Sequence, residues 1–453
     1  MSEVRSTAQW QELDAKHHLH PFTDFKELAE KGSRIIVKAD GVYIYDSEGN
    51  QILDGMAGLW CCNLGYGRKE IVEAVNQQLT ELPFYNNFFQ CSHPPSIELS
   101  RLLTEIAPEH MNNVFYTNSG SEANDTVIRM IHRYWDLLEQ PERKTIIARK
   151  NGYHGSTIAA GSLGGMNGMH KQYATLPGIV HIDQPYWFGE GGDTDPAEFG
   201  VQVARQLEAK IDELGADKVA AFIAEPIQGA GGVIVPPESY WPEISRICEE
   251  KGILLVCDEV ICGFGRTGEW FGSTYYGAKP DLMPFAKGVT NGYQPLGGVM
   301  VSDRVADVLK SKGGEFTHGF TYSGHPAACA AAIATIKSLQ EGKHIERVRE
   351  ETGPYLQKRW AELAEHPLVG ETRGVGFLAA LELVKDKTTR ERFDDDCTAG
   401  AICRDACTES GLVMRAVGDM MVVAPPLTLT KEQIDELVEK AKKALDITLS
   451  KLT

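Results

Sequence analysis

Lys287 sits between the apolar Pro284-Phe285-Ala286 and Gly288. Such a setting strips water from an ammonium and lowers its pKa toward nucleophilic competence. Upstream, Ile253-Leu254-Leu255-Val256-Cys257 is a short unbroken apolar run that ends in Asp258. It reads as a strand buried on both faces of a parallel sheet, whose carboxyl edge is where open α/β sheets bind ligands. Ser119-Gly120-Ser121 falls between a strand pattern, Val114 to Thr117, and a helical one, Glu122 to Leu138. There it offers backbone N–H groups, a hydroxyl and the positive end of a helix dipole to an anion. Taken alone, it is equally a turn with a serine N-cap. Tyr153-His154 follows another strand pattern, Thr145 to Ala148, and adds a flat aromatic ring.

A reactive lysine, a carboxylate, an anion cradle and an aromatic face are together what pyridoxal 5′-phosphate requires. Gly263-Phe264-Gly265-Arg266-Thr267-Gly268 also matches the dinucleotide fingerprint. It fails as one, because no helix pattern opens after it and no acid ends a following strand at the required spacing. Its glycines are expected in a loop beside the site.

The elements that must position these residues follow from the rest of the chain. With 453 residues, 42% hydrophobic and 24% charged, it can bury the core of a two-domain globular protein. A formal charge of −18 argues against nucleic acid or an anionic membrane as partner. Ten cysteines without paired metal spacing read as reduced thiols. The polar start, Met1 to Lys16, lacks a signal sequence, so a cytoplasmic enzyme is expected. His17, His18 and His20 read as a surface arm with no acid or cysteine to complete a ligand set, and no metal is expected. Asn124-Asp125-Thr126 reads as a chance sequon. Val42 to Asp54 predicts a hairpin, and Lys69 to Leu82 a helix preceded by a loop carrying Trp60. From Met111 onward, strand, glycine turn and helix alternate, as in a parallel sheet covered by helices. Expected are residues 1–60 as arm and hairpin, part of a small domain, 61–329 as the large domain, and 330–453 as the remainder of the small one.

Asn118-Ser119-Gly120-Ser121-Glu122-Ala123-Asn124-Asp125, Tyr153-His154-Gly155, Glu225-Pro226-Ile227-Gln228-Gly229, Asp258-Glu259-Val260, Ala286-Lys287-Gly288 and Phe320 to Pro326 stand in this order along the chain. Together they resemble the class III aminotransferases of the fold type I pyridoxal-phosphate enzymes. Asp54 to Trp60, Phe84 to Pro95, Gln184 to Gly192, His318 to Pro326 and Leu412 to Asp419 are most similar to that family's amine:pyruvate branch. The resemblance implies an α/β fold with a mostly parallel seven-stranded sheet in the large domain and a smaller α+β domain built from both termini. It implies that Lys287 carries the cofactor as a Schiff base and shuttles the substrate proton, that Asp258 keeps the pyridine nitrogen protonated, and that Tyr153 stacks on the ring. Ser119, Gly120, Ser121, His154, Glu225 and Val260 complete the implied cofactor contacts. Thr321 is implied as a phosphate ligand from a second subunit, hence a homodimer with shared active sites, a tetramer being left open.

Phe22, Trp60, Phe88, Phe89, Tyr153, Ala230 and Arg415 fall where relatives contact substrate. Ala230 and Ile261 replace the glutamate and glutamine of ornithine- and 4-aminobutyrate-type enzymes. The first change leaves Arg415 without its usual partner, free to bind the carboxylate of pyruvate and to swing away for an amine. The resemblance thus implies a ping-pong transaminase that moves an amino group from a primary amine, a diamine such as putrescine being expected, to pyruvate, giving an aldehyde or ketone and L-alanine. An ω-amino acid or an aryl-alkyl amine is the alternative donor. A mutase, a decarboxylase or a non-catalytic cofactor-binding protein is the alternative class.

Overall fold

The computed structural model describes residues 5–394 and 398–452. An arm helix, Thr7–His17, opens with a capping box: the Ser6 hydroxyl accepts from Gln9 N while the Gln9 side chain accepts from Ser6 N. Strands β1 (Ile36–Asp40), β2 (Tyr43–Asp46) and β3 (Gln51–Asp54) follow. The last two form the expected hairpin, its turn closed by Asp46 Oδ1 accepting from Glu48 N and Asn50 N. β1 is an addition: it is almost wholly exposed, so no buried face marks it in the sequence. Trp60 ends a single distorted turn, with Gly58 and Leu59 outside helical geometry, ahead of the Lys69–Glu81 helix.

The large sheet contains β4 (Asn113–Thr117), β5 (Thr145–Arg149), β6 (Ile179–Ile182), β7 (Val219–Ala224), β8 (Leu254–Cys257), β9 (Leu282–Phe285) and β10 (Gly297–Val301). Its order is β4-β10-β9-β8-β7-β5-β6, seven strands. β10 runs antiparallel to both neighbours and the remaining pairs are parallel. Every residue of β7, β8 and β9 is buried. On one face Ile223, Leu254 and Val256 pack with Val127, Met130 and Ile131 of the Gly120–Leu137 helix. On the other, Phe222, Leu255 and Cys257 meet Leu207 and Ile211 of the Pro196–Leu214 helix and Ile244 and Ile247 of the Tyr240–Lys251 helix. Two covered faces explain the unbroken apolar runs. Each fully buried leucine or isoleucine contributes about 1.5–3 kcal/mol.

The chain continues through β11 (Val369–Val375), β12 (Leu378–Leu383), β13 (Leu412–Val413), β14 (Arg415–Val417) and β15 (Met420–Val423). Four of these make an antiparallel sheet, β11-β12-β15-β14, whereas β13 pairs parallel with β3 and so joins the two ends of the chain. Gly55 permits that junction, because an added Cβ would lie 2.4 Å from Val413 O. No helix among the described residues is long and apolar enough to cross a membrane.

Two sequence features take unexpected forms. Gly263 to Gly268 is a loop, as expected, but Arg266 within it is fully buried. The guanidinium donates to Ala424 O at 2.9 Å, to Pro425 O and to Asn63 Oδ1 at 2.7 Å, bracing the loop that lies against Gly288. The histidines of the arm are not without an acid. Asp14, one helical turn before His18, places its carboxylate 3.1 Å from His18 Nδ1 and 2.8 Å from His20 Nε2. That i, i+4 relationship on the arm helix overturns the expectation of histidines with no acid beside them.

Candidate active site

A cavity of about 840 Å³ opens where the parallel strands end. Asn118 and Ser119 follow β4, Tyr153 and His154 lie in the turn beyond β5, Glu225 follows β7, Asp258 follows β8, and Ala286 and Lys287 follow β9. β10 runs the other way and therefore brings its amino-terminal side, Gln294 to Leu296, to the same edge. Backbone pairing carries the register into the site, with Asp258 N donating to Ala224 O at 2.9 Å and Glu259 N to Pro284 O at 2.9 Å.

Asp258 is buried and hydrogen-bonded through both carboxylate oxygens. Its Oδ1 accepts from Val260 N at 3.0 Å, while Oδ2 lies 2.8 Å from Asn124 Nδ2 and 2.7 Å from His154 Nδ1. Lys287 follows β9 with its backbone in the left-handed region, φ 49°. Burial lowers its ammonium below the usual range, opposed by the nearby Asp258 and Glu225 carboxylates. Glu225 accepts from Tyr153 N at 3.0 Å and Gly229 N at 2.9 Å, and burial raises its carboxyl. Glu259 points away from the cavity to accept from Gly272 N and Ser273 N at 2.8 and 2.6 Å, and burial raises it to about 7.

At the opposite end stands the amino terminus of the Gly120–Leu137 helix. Ser119 Oγ is its N-cap, accepting from Glu122 N at 3.2 Å. The first-turn N–H groups of Gly120 and Ser121 are left without intrahelical partners. Ser121 Oγ accepts from Ser156 N at 3.0 Å. A Cβ at Gly120 would stand 3.0 Å from both Val260 γ-carbons. Only a glycine lets the helix come this close to the residue after Asp258-Glu259. Across the cavity Arg415, on β14, holds its guanidinium 5.1 Å from the Trp60 ring centroid. Among the described residues no carboxylate pairs with Arg415, and Ala230 and Ile261 line the same cavity.

Phe22, Trp60, Ser119, Gly120, Ser121, Tyr153, His154, Glu225, Ala230, Asp258, Val260, Lys287 and Arg415 all line this one cavity. Phe88, Phe89 and Thr321 do not. The aromatic pair lies in a loop rather than on a strand; Phe89 is 88% exposed and the Phe88 ring packs at Gly319. The expected contribution of Phe88 and Phe89 to the pocket therefore does not arise within a single chain, because the loop turns Phe89 to solvent and packs Phe88 at Gly319. Thr321 is exposed in a turn. Asn124 is the residue that sequence reasoning missed as a site member. It occurs in the dismissed sequon, and its buried amide is engaged by Asp258 and by His154 O at 2.8 Å. Its position four residues after Gly120, on the same helix face, is the available signal.

The sequence pattern of the family Aminotransferase class-III matches residues 28–445. The chain belongs to the class III aminotransferases. It is 63% identical over 443 residues to the putrescine–pyruvate aminotransferase of Pseudomonas aeruginosa, covering 98% of this chain and 97% of that one. It is 42% identical over 452 residues to the diaminobutyrate–2-oxoglutarate transaminase of Halomonas elongata, covering 97% and 96%. Among solved structures, the omega transaminase of Pseudomonas jessenii in complex with PMP superposes with a TM-score of 0.95 at 40% identity, over 97% of this chain and 98% of that one. An (S)-enantioselective omega-transaminase from Thermomicrobium roseum does so with 0.95 at 42%, over 99% and 100%. Class III aminotransferases use pyridoxal 5′-phosphate, and the residues of this aminotransferase fit it. A buried amine and a buried carboxylate held by hydrogen bonds, with room for one more donor at Oδ1, face one cavity, and a helix amino terminus is kept clear of side chain at Gly120.

Proposed function

We propose that this aminotransferase takes its amino group from a terminal diamine such as putrescine and delivers it to pyruvate, releasing an aminoaldehyde and L-alanine. The observation that carries the reading is Arg415: a cation over the Trp60 ring inside the cavity, with no carboxylate partner among the described residues and with Ala230 lining the same cavity. Such a guanidinium is available to a substrate carboxylate as a bidentate donor. The 63% identity to a putrescine–pyruvate aminotransferase supports the same donor and acceptor.

When bound, pyridoxal phosphate supplies an electron sink that makes a proton on the amine-bearing carbon removable. The protein's part is positioning and proton handling. Lys287 Nζ would hold the cofactor covalently, and its free amine would serve as the base for the proton on the donor carbon. Its lowered pKa keeps it a competent base. Asp258, held by Asn124, His154 and Val260, would keep a proton on the pyridine nitrogen. Tyr153 would cover the ring, and Ser119, Gly120 and Ser121 would receive the phosphate at the helix amino terminus. Phe22, Trp60 and Tyr153 enclose the alkyl stem of the donor. The aldehyde leaves before pyruvate enters, and Arg415 then binds the pyruvate carboxylate, turning aside when an amine occupies the pocket.

The proposal includes a homodimer in which Thr321 of the second subunit reaches the phosphate, and the exposure of Thr321 here, away from its own chain's cavity, supports it. It also includes a small domain formed by residues 1–60 and 330–453 around the large 61–329 unit, supported by the β3–β13 pairing. A cytoplasmic location is supported by unpaired cysteines among the described residues. Alanine formation from pyruvate, measured across putrescine, cadaverine, 4-aminobutyrate, β-alanine and 1-phenylethylamine, tests the donor. Highest kcat/KM with a diamine is expected, and a clear preference for either amino acid overturns the reading.

A further inference from the structure

We propose that Asp14, His18 and His20 form a binding site for a divalent metal ion of the zinc type on the arm that leads into Pro21 and Phe22 at the active-site cavity. His18 Nδ1 lies 3.1 Å from Asp14 Oδ1, and His20 Nε2 lies 2.8 Å from Asp14 Oδ2. One donor atom from each of the three residues falls within 4.8 Å of the others. Ligands held ~2.0–2.2 Å from a tetrahedral zinc stand ~3.4 Å apart, so a small outward movement of the two rings admits the ion. Two imidazoles and a carboxylate suit zinc, cobalt or nickel, whereas magnesium and calcium favour all-oxygen sets. Three protein ligands leave a coordination position for water.

The three side chains come from two local features. Asp14 and His18 are one turn apart at the carboxyl end of the Thr7–His17 helix, and His20 returns across them in the extended segment that follows. The rings of His18 and His20 already lie 4.2 Å apart, centroid to centroid. His18 is 60% exposed and Asp14 and His20 are partly exposed, so an ion reaches them from solvent. Pro21 and Phe22 come next and line the cavity, with the Phe22 ring 6.4 Å from that of Tyr153. A metal would therefore tie the end of the arm helix to the segment that brings Phe22 to the cavity.

The test uses untagged holoenzyme freed of metal by chelator. Titration with zinc chloride is followed by calorimetry, and titration with cobalt(II) by visible absorption. One equivalent of zinc per chain and a cobalt ligand-field band are expected in the wild type. Both should be lost in His18→Ala and His20→Ala, with thermal unfolding of the variants checked alongside. Zinc should also slow tryptic cleavage after Lys16 several-fold in the wild type and leave His20→Ala unaffected. No zinc uptake by the wild type overturns the site and leaves an aspartate hydrogen-bonded by two histidines. Equal uptake by His20→Ala places the ion elsewhere and overturns it as well. The metal reading and the aminotransferase reading fail separately, because neither calorimetry nor proteolysis depends on turnover.

Discussion

Asn124 Nδ2 and Asp258 Oδ2 are 2.8 Å apart with both side chains buried, and the same carboxylate oxygen lies 2.7 Å from His154 Nδ1. A neutral amide thus holds the acid in place. Replacing Asn124 with leucine keeps the volume and removes the donor, and hydrogen bonds to charged groups contribute about 1.5–3 kcal/mol. A ~10–100-fold fall in kcat is expected, together with weaker cofactor binding and a shifted absorption band of bound cofactor. Unchanged values for all three would show that Asp258 needs no help from Asn124.

Arg415 should matter for one half of the reaction. In Arg415→Ala the KM for pyruvate and that for L-alanine are expected to rise ~10–100-fold, the cost of one charge-assisted bidentate pair. The single-turnover rate with putrescine should change by no more than about twofold, since no carboxylate is present in that half-reaction. Stopped-flow measurement of the two half-reactions checks this, and equal losses in both would assign Arg415 a structural role.

Gly120 is required by Val260. An added methyl would stand 3.0 Å from both Val260 γ-carbons, so Gly120→Ala must push the helix terminus away from the phosphate position. Cofactor affinity is expected to drop ~5–150-fold, in keeping with 1–3 kcal/mol for overpacking. Gly120→Ala/Val260→Ala should recover much of it. Fluorescence titration of the apoenzyme with pyridoxal phosphate reads both variants, and failure of the double variant to recover would point to the backbone rather than to the contact.

Glu259 gives the enzyme a pH-dependent stability. Burial raises its carboxyl from 4.5 to about 7. Between those values the folded chain keeps a proton that the unfolded chain has released, so this group's contribution to stability falls as the pH rises through that window. Glu259→Gln cannot ionise. The Tm of the variant minus that of the wild type is expected to climb from pH 4.5 to about 7 and then level off. A flat difference across that range would mean that Glu259 is ionised throughout.

The sequence by itself determined the sheet and the chemistry attached to its edge. β7, β8 and β9 are buried on both faces and therefore appear as continuous apolar runs, and Glu225, Asp258 and Lys287 come directly or almost directly after them. Strand ends and the residues beyond them are local facts. Only the tertiary structure decided which distant side chains meet. Asn124 reaches Asp258, β13 pairs with β3, Arg266 braces residues 424–425, and the Phe88-Phe89 loop turns Phe89 to solvent. Even Asp14 escaped notice beside its histidines, because the chain must return at His20 before one carboxylate serves two rings. Hydrogen bonds and packing act over ångströms in space, and periodicity reports a residue's own element, not its partner on another.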